Sequence, residues 1–161
     1  MLIPIGQAET LREGTELLIV GFGPIVMRGI QVAERLEAAG WSVGVVDARF
    51  AKPLDARLIT ESARGKRLVV TLEESAAAGG FGGAVTQVLE AARLTDDGLR
   101  QVSVLPIGIP ADRFVDHGSV IDLRRAIRLD ADGIQAQVLE TLARMGVHPE
   151  QPVVAAAART A

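Results

Sequence analysis

Arg67-Leu68-Val69-Val70-Thr71-Leu72-Glu73, running on into Glu74-Ser75-Ala76-Ala77-Ala78-Gly79-Gly80-Phe81-Gly82-Gly83, is the stretch on which the fold turns. Its first half is a short aliphatic and β-branched run bounded by turn residues, which reads as a strand. The run is continuous rather than alternating, so both faces are buried, as in a parallel sheet sandwiched between helices. Its second half is a glycine run that opens a helix expected over residues 82–94. Three more runs of the same kind lie on either side, at 16–22, 41–50 and 101–107. Between them, residues 25–39 place Val26, Ile30, Ala33 and Leu36 at helical spacing, with Pro24 at the first turn and Gly40 as the stop. Asp55 is positioned to cap a second helix. A short helix is expected over 120–127, and a last one with Ile134, Val138, Leu142 and Met145 on one face. Residues 7–11 could add an edge strand of either direction. Strand and helix thus alternate almost throughout, and the fold class is α/β: three α/β/α layers around a mostly parallel sheet of about five strands. The domain is expected over residues 1–146, and the two prolines and alanine run of 147–161 predict a disordered tail.

Composition narrows the function. The 161 residues suffice for one domain with its own core, 48% of them are hydrophobic, and the net charge is -3 at pH 7. Neither basic cluster, Arg64-Gly65-Lys66-Arg67 or Arg124-Arg125 with Arg128, is interleaved with aromatics, so both read as solvated surface and nucleic acid is not an expected partner. The chain has no cysteine, which removes disulfides and thiolate chemistry and suits a reducing, cytoplasmic compartment. The longest apolar stretch, 17–27, is interrupted by Gly21, Gly23 and Pro24 and is too short to cross a bilayer, so no membrane association is expected.

Doubly wound sheets gather ligands or partners at the carboxyl ends of their strands, and three loops there are candidates. Gly21-Phe22-Gly23-Pro24, with Asp47 downstream, begins like a dinucleotide fingerprint, but Val26 stands where the third glycine belongs and Pro24 removes an amide; a tight turn is the favoured reading. In the second loop Arg49 and Lys52 could hold an anion, or pair with Asp47 and Asp55; the structural reading is favoured. The third, from Glu73 to Gly83, lacks the Gly-Lys-Ser/Thr of a phosphate loop. Glu73 and Glu74 point to opposite faces of a strand and cannot act as one acid/base pair. Glu73, Glu74, Gly79, Gly80, Phe81, Gly82 and His117 are therefore candidates for an interface rather than for catalysis, and no catalytic, cofactor or metal residue is assigned. His117 and His148 are isolated and do not make a metal site.

The order of motifs carries a resemblance. Ile3-Pro4-Ile5-Gly6, the segment from Val46 to Asp55, Thr71-Leu72-Glu73-Glu74, the segment from Gly79 to Val85, and Ile107-Gly108-Ile109-Pro110 through His117-Gly118 are similar to the C-terminal domain of the 1-deoxy-D-xylulose-5-phosphate synthases, in the transketolase superfamily. The resemblance covers residues 2–142. It implies a homodimeric parent that uses thiamine diphosphate and magnesium to join pyruvate and glyceraldehyde 3-phosphate, feeding isoprenoid, thiamine and pyridoxal synthesis. It also implies that the cofactor, the magnesium and the activating glutamate belong to N-terminal and middle domains outside this chain, which itself binds neither. The alternatives are the C-terminal domain of a transketolase or of a 2-oxo acid dehydrogenase beta subunit, or a free-standing phosphate-binding regulator.

Overall fold

The computed structural model describes residues 2–150. The elements run β1 (Glu9–Arg12), β2 (Leu17–Gly21), α1 (Val26–Ala38), β3 (Val43–Asp47), α2 (Ala56–Ala63), β4 (Leu68–Ala76), α3 (Phe81–Arg93), a 3-10 turn (Asp97–Leu99), β5 (Ser103–Ile109), α4 (Val120–Ala126) and α5 (Ala131–Met145). One five-stranded sheet results, in the order β1-β3-β2-β4-β5. Strands β2 to β5 are parallel, and β1 runs antiparallel to β3, with Glu9 opposite Asp47. The predicted α/β class and the mostly parallel sheet are both present.

Alternation along the strands builds two cores. Leu17 and Ile19 of β2 face one side, where they meet Val32 and Leu36 of α1 and Ile134, Val138 and Leu142 of α5. Leu18 and Val20 face the other, where they meet Ile59 of α2 and Val85 and Leu89 of α3. Met145, expected in the α5 stripe, is 37% exposed instead, because it falls in the last helical turn beyond the sheet. The Asp55 carboxylate accepts from the Leu58 amide and caps α2 as predicted, and it also accepts from the Ala8 amide, which ties the N-terminal segment to that end of the sheet.

The two edges of the sheet differ. At the amino ends of the strands, the buried Glu16 carboxylate accepts from the Ser42 and Glu150 amides, and the Arg67 guanidinium donates to the Glu150 carboxylate at 2.6 Å. Val147 packs against the core and its amide reaches the Leu142 carbonyl. Residues 147–150, expected in the tail, are therefore docked onto the domain. The remainder of the predicted tail, 151–161, lies outside the described residues. At the carboxyl ends, β3 lies to one side of β2 and β4 to the other, so the chain reverses its winding between β2 and β4 and leaves a crevice there.

Candidate functional site

Phe22 and Phe81 stack across the crevice between the carboxyl ends of β2 and β4, and beside it the start of α3 is filled by the chain's own carboxylate. Glu73 is fully buried, and its two carboxylate oxygens accept from the Phe81 amide at 2.8 Å and the Gly82 amide at 2.9 Å; the Ser75 hydroxyl donates to the same carboxylate. These amides open α3, whose cap residue Gly80 has no side chain to satisfy them. A helix N-terminus binds anions through its free N–H groups and dipole, and here the anion is Glu73. The glycines make the space. A Cβ at Gly80 would collide with the Glu73 carboxylate and the Ala76 carbonyl, one at Gly82 with the Thr71 hydroxyl, and one at Gly108 would lie 2.9 Å from Glu73 Cγ. The side chain of Thr71 is buried beneath Gly82, and its hydroxyl has no hydrogen-bond partner among the described residues.

Phe81 corrects the sequence reading. It stands among the interface candidates, yet it is 5% exposed, belongs to the second core and stacks on Phe22 with ring centroids 5.4 Å apart. Phe22 in turn donates its amide to the Leu72 carbonyl at 2.9 Å, closing the first loop against β4. The Gly21-to-Pro24 segment is thus a tight turn, as expected, with Gly23 at φ +82°. Gly79 is in the left-handed region at φ +74° with open space around its Cα. In the second loop, Arg49 pairs with Glu9 of β1 and its amide donates to Asp47; neither Asp47 nor Asp55 is its ion-pair partner. Asp55 is already committed to two amides.

Glu74 points the other way, as strand alternation requires. Its carboxylate accepts from Arg124 Nε at 2.7 Å, with both side chains only about a quarter exposed. Arg124 was read from sequence as solvated surface; the pairing, fifty residues apart in the chain, is what sequence reasoning missed. The ion pair lies beside a cavity of about 300 Å³ lined mostly by Ile109, Val115, Val120, Leu123, Ile127 and Leu129, under the segment that follows β5. His117 lies exposed in that segment, apart from Glu73, whose neighbours are the α3 amides and Ser75. A second cavity, of about 640 Å³ and lined by Lys66, Arg67 and Arg100 among others, is at the opposite, amino edge and touches none of the three loops.

The α3 amides that could hold a diphosphate are already taken by Glu73, and among the described residues no three carboxylate or imidazole groups converge as a metal would require. The described residues therefore do not fit thiamine diphosphate with magnesium. No helix of the described residues is long and apolar enough to cross a membrane.

Comparison with known proteins gives consistent findings. The sequence model of the family described as transketolase, C-terminal domain, matches residues 6–134. A 1-deoxy-D-xylulose-5-phosphate synthase of Thermomicrobium roseum is 43% identical over 145 residues, which is 90% of this chain and 22% of that protein. One from Listeria welshimeri is 38% identical over 143 residues, covering 89% of this chain and 22% of the relative. Among solved structures, one described as a split gene transketolase, inactive beta4 tetramer, superimposes with a TM-score of 0.76 at 30% identity, covering 89% of this chain and 44% of that one. The chain spans about a fifth of the length of the curated relatives it matches.

Proposed function

The chain belongs to the transketolase C-terminal domain family, and from that membership we propose that it is the C-terminal domain of a 1-deoxy-D-xylulose-5-phosphate synthase. The parent enzyme would join pyruvate to glyceraldehyde 3-phosphate with release of carbon dioxide, as a cytoplasmic homodimer supplying isoprenoid, thiamine and pyridoxal precursors. Thiamine diphosphate and magnesium would be held by its other domains, and this domain would serve structure and assembly. The carrying observation is the coverage: about 40% identity along nine tenths of this chain, matched to one fifth of each relative. Glu73 supports the same division of labour, because the α3 amides that could receive a ligand phosphate are occupied by its carboxylate. It also speaks against the free-standing phosphate-binding regulator. The proposed domain ends at residue 150, four residues beyond the end that the sequence pattern suggested.

The test is an assay of the full-length polypeptide with pyruvate and glyceraldehyde 3-phosphate, beside the isolated chain. Formation of 1-deoxy-D-xylulose 5-phosphate by the former alone is the expected result. A parent that transfers two carbons from a ketose phosphate and leaves pyruvate untouched would favour the transketolase alternative, which the 30% identity to a split gene transketolase keeps in view.

A further inference from the structure

Seven of the eleven exposed large apolar side chains among the described residues gather at one edge of this domain, while the most exposed of the others, Leu94 at 86%, ends α3 at the opposite edge. Met27 stands 64% exposed in the first turn of α1, and Phe114 (102%), Val120 (58%) and Ile121 (68%) stand in the segment that follows β5. All four follow the carboxyl ends of parallel strands. The N-terminal segment adds Leu2, Ile3 and Ile5, each more than half exposed, and it lies at the same edge because β1 runs antiparallel and Ala8 is held by Asp55 beyond the end of β3. Helix α4 has no buried residue at all, yet it is fixed in place by the Arg124–Glu74 pair and by the Leu129 amide on the Arg124 carbonyl. A fully solvated phenyl ring in the same segment as a pinned helix that leaves Val120 and Ile121 exposed is a surface prepared for another protein surface.

We propose that this edge, with Phe114 as its anchor, is the face on which the domain docks against the remaining domains of its parent polypeptide. The inference rests on the reading that such a parent exists. Three observations select this occupant over others. The matched relatives carry more than four times this length of chain, and the solved split gene transketolase more than twice, so a neighbouring domain accompanies a domain like this one. The segment leading into β1 arrives at this edge, so a domain preceding it in the parent would be tethered beside it. Five strands about 4.8 Å apart and three layers about 10 Å apart give an edge of roughly 20 by 20 Å, so about 800 Å² counted on both sides, within the range of inter-domain contacts. The charges beside Phe114, namely Asp112, Arg113 and Asp116, are mixed in sign, so the contact is apolar at its centre with a polar rim.

The experiment compares amide hydrogen exchange over residues 110–127 in the isolated chain and in the full-length protein, together with the double substitution Phe114→Ser, Ile121→Ser in each. Exchange at least about tenfold slower in the full-length protein is expected, since docking removes local opening. The double substitution should abolish that protection while moving the melting temperature of the isolated chain by no more than about 2 °C, because both side chains are exposed. Equal exchange in the two proteins, or protection that survives the substitution, would overturn the proposal. So would an isolated chain that dimerises through this face and becomes monomeric on substitution, since the occupant would then be a second copy. A parent without the proposed activity but with residues 110–127 protected would sink the functional reading and leave the docking face standing.

Discussion

Glu73 is a buried carboxylate whose neutralising partners are backbone amides rather than a cation, and that makes its substitution informative. Glu73→Gln retains shape but offers one acceptor oxygen, so the Phe81 or the Gly82 amide must face an NH2 group. A buried donor left without its charged acceptor costs about 2–3 kcal/mol, measurable as a lower urea midpoint of the isolated chain. The same geometry revises what Gly80→Val should do. Taken only as an interface candidate, Gly80 would matter for contacts between domains and little for the isolated domain. The structure places the new Cβ against the Ala76 carbonyl and the Glu73 carboxylate, so the isolated chain itself should lose about 2–3 kcal/mol. Gly79→Ala, in open space but at positive φ, should lose only about 1 kcal/mol. That Glu73 and Glu74 part company was legible from strand alternation alone. The burial of Phe81 was not, because the cap of α3 comes from a side chain eight positions upstream, and without a local cap the helix was started one residue late at Gly82.

Among the elements, those with a local cause were the readable ones. Continuous aliphatic runs gave β2, β3 and β4, and Asp55 and Gly40 marked helix ends that the structure also shows. The direction of β1 was open, since it is decided by pairing with β3, thirty-odd residues away, and by the Asp55 bond to Ala8. Helix α4 was legible as a helix, with Ser119 as its local cap, but its placement was not: at seven residues and with no buried side chain it lacks the core contact that normally holds a short helix, and a non-local ion pair helps to hold it. Arg124→Ala should therefore loosen α4 without unfolding the domain. Amides of residues 120–127 should exchange markedly faster, while global stability falls by under about 1 kcal/mol, as for a partly solvated ion pair.

At the scale of the whole molecule, the family was legible because its motifs recur in order along nearly the whole chain, and the relatives bear that resemblance out. The extent of the domain was less so, since Glu150 is held by Glu16 and Arg67, partners that composition near the terminus does not advertise. The described chain thus enters at the carboxyl edge of the sheet and finishes at the amino edge. Oriented capture becomes possible as a result, because the sequence contains no cysteine to compete with an introduced thiol. Arg100→Cys, exposed at the amino edge, would couple every molecule to a sensor chip with Phe114 facing the solution, whereas Asp112→Cys would turn Phe114 toward the matrix. Separately produced remaining domains of the parent should give a saturable surface-plasmon signal on the first chip and little on the second; equal signals on both would mean that the edge facing the liquid does not matter.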